Sequence, residues 1–307
     1  MLNLYVGRGY MSKVWVVGEA LMDLIPVAGG ERTPMVGGGP ANTAKAIARL
    51  GYATYFVGGI SSDDFGLSIE KELLASGVDL SLAYRGEKPT ALAIATIDDH
   101  GLAKYDFELE ATTSFAFDKS WLPHGDVNVL HVGSVATLLE PGATELLSWV
   151  SSKNAPIIFD PNVRPSIQGD KGIYRGAVER WIDVASIVKL SEDDLSWLYG
   201  GGEREIVKGW LSRGVSIVIL TRADKGLRAY TKGSVIDVSA VKVELVDSVG
   251  AGDTVGAVVV EGVLRHGIEN LDGEFLRLVL ERAAKAAAIT CSRAGAMPPT
   301  RQELDSF

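Results

Sequence analysis

The sequence predicts an α/β protein: a mainly parallel sheet covered by helices on both faces, with a small antiparallel β lid set into it. Three observations predict this. Short β-branched apolar runs alternate with amphipathic segments along most of the chain. Proline opens and glycine closes several of the helical segments. Two stretches break the alternation, one rich in Pro and Gly and one holding two polar-alternating strand candidates, as a small sheet exposed on one face requires.

The apolar runs are 14–17, 127–132, 157–159, 187–188 and 215–220, read as strands buried on both faces. Between them lie helical segments: 40–50 closed by Gly51, 64–76 closed by Gly77, 140–152, and 203–213 closed by Gly214. The interrupting stretches, 20–36 and 89–117, include strand candidates 91–97 and 103–109. They are read as a lid inserted into one domain spanning 11–307. Residues 1–10, ahead of Met11, are read as an extension outside the fold.

Composition narrows the function classes. The chain has 307 residues, 47% of them hydrophobic and 22% charged, which supplies a full core and excludes a disordered or fibrous chain. A net charge of −9 with no basic block argues against nucleic acid and anionic membrane as partners. Cys291 stands alone, the four histidines show no metal-ligand spacing, and no apolar run approaches a membrane span. A cytoplasmic protein is expected.

The strongest chemical signal is the stretch Val243 to Thr254, read as a strand ending in a small-residue turn that opens a helix from about Val255 to Leu264. Gly250, Ala251 and Gly252 leave backbone N–H groups uncovered at a helix N-terminus, where an anion is stabilised. Asp253 stands at the mouth of that anion hole. A carboxylate there competes with the anion unless it has its own task, and accepting a proton from a hydroxyl that attacks a phosphoryl group is such a task. The plainer reading, an acid complementing the helix dipole, stays open. A dinucleotide fingerprint fails: the glycine spacing is off by one and no well-placed acid follows about 20 residues on.

Near the other end, Gly37-Gly38-Gly39-Pro40-Ala41-Asn42 opens a helix. Glycine permits close backbone approach, and Asn42 with Asp23 offers donors and acceptors suited to vicinal sugar hydroxyls. On spacing alone, a glycine turn with a helix start explains the same residues.

Together, Gly37-Gly38-x-x-x-Asn42 and Asp247-Ser-Val-Gly-Ala-Gly-Asp253 resemble the paired signatures of the ribokinase-like sugar kinases, the PfkB carbohydrate kinase family, over Lys13 to about Pro299. Residues 17–26, 159–165, 188–194 and 295–299 are most similar to the fructokinase branch. The resemblance implies a ribokinase-like three-layer α/β/α sandwich. It implies that Asp253 is the catalytic base and that the Gly250, Ala251 and Gly252 amides stabilise the transferred γ-phosphate of ATP. Asp23, Gly38, Asn42 and Arg164 match sugar-holding or substrate-reaching positions, and Phe107 is a candidate for packing on an apolar sugar face, with strand packing as its plainer reading.

Thr221, Ala223 and Gly226 match the nucleotide loop, with Lys189, Arg222 and Lys225 as local cations; Ala223 stands where the family usually has Gly. Ser191 and Asp194 fall where the family carries an Asn-x-x-Glu element for phosphate and Mg²⁺, Asp194 being the Mg²⁺ candidate. Ser191 is also a good N-cap. Asp247 and the Val249 carbonyl match a monovalent-cation site, implying potassium activation, and relatives often dimerise through their lids.

The lid strand 103–110 is acidic and lacks the Arg that kinases of 2-keto-3-deoxygluconate often place there, so a neutral sugar is expected, fructose at its 6-hydroxyl first. Alternatives are 2-keto-3-deoxygluconate, ribose and nucleoside kinases. A sugar-binding protein without catalysis is the alternative of another class, and retention of Asp253 with the Gly-Ala-Gly turn argues against it.

Overall fold

The computed structural model describes residues 12–26, 31–97 and 103–307; the extension 1–10 and the lid segments 27–30 and 98–102 lie outside the described residues. In chain order the strands are β1 (Lys13–Val17), β2 (Leu21–Pro26), β3 (Arg32–Gly37), β4 (Ala53–Val57), β5 (Gly59–Ser61), β6 (Tyr84–Gly86), β7 (Leu92–Ile97), β8 (Ala103–Glu108), β9 (Val129–Gly133), β10 (Ile157–Asp160), β11 (Ile187–Ser191), β12 (Ile217–Thr221), β13 (Leu227–Tyr230) and β14 (Val235–Val238). The helices are α1 (Gly39–Arg49), α2 (Asp64–Ala75), α3 (Gly142–Ser151), α4 (Lys171–Ile182), α5 (Glu192–Tyr199), α6 (Glu203–Ser212), α7 (Ala251–His266), α8 (Gly273–Cys291) and α9 (Arg301–Ser306).

The large sheet runs β14-β13-β12-β11-β10-β9-β1-β4 and is parallel from β4 to β12. Its strands form from β-branched runs because both faces are covered, so alternation of side chains sorts each strand between two cores. Val14 and Val16 pack with Ile47 of α1, Val255 of α7 and Leu280 of α8. Trp15 and Val17 pack with Leu146 of α3, Trp181 of α4 and Trp210 of α6. The expected three layers are present.

After β1 the chain continues to β4 on one side and only later to β9 on the other. Such a reversal of strand order opens a crevice at the carboxyl ends of the strands, where ligands of open α/β sheets bind.

The lid is a four-stranded sheet in the order β3-β2-β7-β8. Its two hairpins, β2–β3 and β7–β8, are antiparallel, and the central pair β2–β7 is parallel. One expectation fails: residues 243–246, Val-Glu-Leu-Val, form no strand ahead of α7. The segment instead ties back to the end of α8, with Val246 N donating to Cys291 O at 2.9 Å and Asp247 N to the same oxygen at 3.2 Å. Leu245 and Val246 are consequently exposed.

Candidate active site

Gly250 takes φ 78°, and a Cβ there would stand 2.7 Å from the Cβ of Ala296, so glycine is needed on both counts. It starts α7 with no side-chain cap. The first-turn amides of a helix have no intrahelical acceptor; here Ala251 N turns back to Ser248 O at 3.3 Å, and the turn from Gly252 onward faces a ligand.

Asp253, in that first turn, is buried. Its Oδ2 accepts a hydrogen bond from Asn42 Nδ2 at 3.0 Å, joining the two glycine-rich regions across 211 positions of sequence. Burial pushes its carboxyl up to about 6, against the opposing pull of Lys189, the Asn42 hydrogen bond and Arg164. That value leaves Asp253 largely ionised at neutral pH yet basic enough to take a proton. Asn42 Oδ1 is buried and has no partner among the described residues, an acceptor that a substrate hydroxyl would satisfy.

Gly38 has φ 100°, and a Cβ would meet the Glu19 carbonyl oxygen at 2.7 Å, so this turn closes onto the end of β1 only with glycine. Asp23 lies on β2 opposite Ala93 of β7, which itself opposes Phe107 of β8. Directly opposed residues share a face, so Asp23 and Phe107 lie on one side of the lid. Burial raises Asp23 to about 6, with Arg164 and Lys45 opposing. Burial and the carboxylates of Asp23 and Asp247 push up the Tyr105 hydroxyl, on that same lid face. Phe107 is half-buried, stacks on Tyr105 and packs against the small lid core of Leu21, Ala93 and Leu109, in keeping with its plainer role. Arg164 donates to the carbonyls of Asn162 and Val163, and its charge acts on both Asp23 and Asp253.

At the other end of the cleft, Ser191 and Thr221 are register partners on β11 and β12. Ser191 Oγ accepts from Asp194 N at 2.9 Å and Asp194 Oδ2 accepts from Ser191 N at 3.0 Å, a reciprocal capping box. Asp194 Oδ1 accepts from Val163 N at 3.2 Å, so the carboxylate also ties α5 to the loop after β10. Ala223 takes φ 50° even without being glycine. Gly226 has φ 92° and lies against the Val238 carbonyl, where a Cβ would approach within 2.1 Å; its need for glycine is internal to the β13–β14 hairpin. Arg222 pairs with Glu192 and Asp237, and Lys225 with Glu192. Asp247 accepts from Val249 N at 3.0 Å and from Gly295 N at 2.9 Å.

Lys189, expected beside the nucleotide loop, is buried beneath α7 instead. Its Nζ donates to Asp160 Oδ2 at 2.6 Å, and a Cβ on Gly252 would stand 3.1 Å from that Nζ. Strand alternation explains it: Ile187 faces the α7 core, so Lys189, two residues on, faces it too. The same reasoning places Asp160 after Ile158 and His131 after Val129. Burial holds His131 down to about 4, so it is neutral at physiological pH. Sequence reasoning passed over Asp160 and His131. The available signal is a shared pattern, an apolar residue followed two positions later by a polar one within three buried strands.

Among the described residues, no three His, Cys, Asp or Glu side chains group to hold a metal ion.

An uncapped helix N-terminus at a strand-order reversal, with a buried carboxylate at its mouth and a lid above, defines a small-molecule phosphotransferase. Residues 11–303 match the pfkB family of carbohydrate kinases, and the chain belongs to that family. It is 30% identical over 306 residues to a fructokinase of Escherichia coli, covering 96% of this chain and 99% of that protein. A crystal structure of fructokinase from Vibrio cholerae O395 in a fructose, ADP and calcium ion bound form superposes with a TM-score of 0.85 at 26% identity, covering 97% of this chain and 99% of that one. A double mutant of the same enzyme in a fructose, ADP and potassium ion bound form gives 0.83 at 27% identity, covering 97% and 98%.

Proposed function

We propose that this sugar kinase transfers the γ-phosphate of ATP to the 6-hydroxyl of fructose. The observation that carries the reading is Asp253, buried at the mouth of the uncapped α7 terminus and fixed by Asn42. In this account Asp253 takes the hydroxyl proton as the new O–P bond forms and the bond from the γ-phosphorus to the bridging oxygen breaks, releasing ADP. The amides of Gly250, Ala251 and Gly252 receive the charge on the transferred group. Asp23, Asn42 Oδ1 and the Gly38 turn hold the sugar, Phe107 closes over it, and Arg164 reaches between sugar and phosphate.

Thr221, Ala223 and Gly226 shape the nucleotide loop, with Ser191 at its side. Asp194 is the carboxylate that would hold magnesium, which would supply positive charge to neutralise the phosphates. The reading gives Asp247 and the Val249 carbonyl to a potassium ion; the potassium-bound relative supports it. It further takes the chain as one kinase domain with an inserted lid, cytoplasmic, and paired as a homodimer through the lid sheets. No helix among the described residues is long and apolar enough to cross a membrane.

A neutral sugar is supported by Asp23, a carboxylate on the lid face that Phe107 shares, which repels a sugar acid; Asp106 and Glu108 of the same lid strand as Phe107 are exposed on the opposite face. The test is ADP release with Mg-ATP and a panel of fructose, ribose, 2-keto-3-deoxygluconate and nucleosides. Fructose is expected to give the highest kcat/KM; turnover led by another member reassigns the substrate, and no turnover with any member contradicts the activity.

A further inference from the structure

Beneath the proposed base lies a buried charge pair to which the fold and the transfer step as described give no task. Asp160 and Lys189 are 3% and 4% exposed, and their contact is 2.6 Å long. An ion pair this deep is a weak source of stability, because desolvating two charges offsets most of their attraction. Asp160 Oδ1 has no partner among the described residues, so the pair is not even fully satisfied. Its position is more informative: the ammonium sits directly under Gly252, the residue before Asp253.

The groups that face or act on Asp253 come from every element around it. Asn42 of α1 donates to it. Lys189 of β11, Asp160 of β10 and Arg164 after β10 act through charge. Asp194 of α5 acts on Lys189. His131 of β9 lies below Gly256, one turn along α7, and is neutral. Asp23 of β2 shares Arg164 with Asp253. Only Lys189 and Arg164 among these are positive, and Arg164 is half-buried at the cleft wall, where solvent screens it.

We propose that Asp160 and Lys189 are positioning residues for Asp253: the ammonium keeps the base ionised in its dry site, and Asp160 fixes that ammonium while limiting how far it weakens the base. The proposal rests on Asp253 acting as the base. It assigns opposite signs to the two halves of one salt bridge. Removing the ammonium leaves a buried carboxylate with a carboxylate neighbour, so Asp253 holds its proton to higher pH. Removing the Asp160 charge leaves the ammonium facing Asp253 alone, so Asp253 ionises at lower pH and becomes a poorer base. A purely structural salt bridge has no such sign.

The experiment is a carboxyl-carbon NMR titration of the full chain labelled at aspartate, with Asp253→Asn identifying the Asp253 signal, run beside the pH profile of kcat/KM for the sugar. Asp160→Asn is expected to lower the Asp253 midpoint by about one pH unit, and Lys189→Met to raise it by about as much. The acid limb of the profile should follow both. Lys189→Met leaves two unpaired buried carboxylates and is the variant most prone to unfold. The Asp160→Asn/Lys189→Met double variant carries no unpaired partner, and the step from Asp160→Asn to the double variant must raise the midpoint again. Midpoints that stay in place, or that move the same way in both comparisons, overturn the proposal. Full activity in Asp253→Asn contradicts the base assignment instead, and the titration still reports on the pair.

Discussion

At the Asp253 end of the cleft, polar side chains from α1, β10, β11 and α7 are buried and bonded to one another. At the Thr221–Gly226 end, Arg222 and Lys225 pair with acids on the surface, and the loop's shape rests on backbone at Ala223 and Gly226. The contrast fits the two tasks proposed for these ends. Moving a proton requires one atom at one place with a tuned affinity, which only buried, mutually fixed side chains supply. Holding a polyphosphate chain requires donors over a length, which backbone amides supply with little dependence on side chains.

The comparison is sharpest at the base itself. Asp253→Asn is expected to lower kcat by roughly 10³-fold with little change in KM for the sugar, measured by coupled ADP release. Asn42→Ala removes the hydrogen bond that fixes Asp253 and the open acceptor beside it, and should lower kcat/KM by about 10–100-fold, or roughly 1.5–3 kcal/mol. A fall of less than threefold would break the claim that this end depends on fixed side chains.

Stability should show the reverse side of the same design. The Asp253 carboxyl titrates near 6 in the fold against a reference of 3.8. Between those two values the folded protein binds more protons than the unfolded chain, so this group's effect is a loss of stability as pH rises through that window, and a constant penalty above it. Asp253→Asn should therefore raise the melting temperature at pH 8, by the equivalent of about 1–2 kcal/mol, with the gain vanishing near pH 4. Thermal melts at the two pH values check it.

The smallest effect belongs to the nucleotide end. Lys225→Ala breaks an exposed pair with Glu192 and should change stability by less than about 0.5 kcal/mol and KM for ATP by less than threefold. A tenfold rise in that KM would show that side chains carry this end too.

Much of this layout was legible in the sequence because buried parallel strands write themselves as β-branched runs, and because glycines mark close approaches. Gly38 and Gly250 needed no structure to be suspected. The strand expected over 243–246 is not present, since local composition cannot show that the segment's amides are taken by the Cys291 carbonyl at the end of α8. Lys189 was read as a loop cation because its face is fixed only once Ile187 is known to point toward α7. Asp160 and His131 depend on the same register. Ala223 shows the opposite case: the sequence lacks the expected glycine, yet the backbone adopts a positive φ.

The central claim is that Asp253 drives phosphoryl transfer to a sugar hydroxyl. Its most direct test is phosphorus and carbon NMR of the product formed from fructose and Mg-ATP by the wild-type chain and by Asp253→Asn. The account predicts fructose 6-phosphate from the wild type and at most a trace from the variant in the same time. Equal product from both, or no phosphorylated sugar from the wild type, would contradict it.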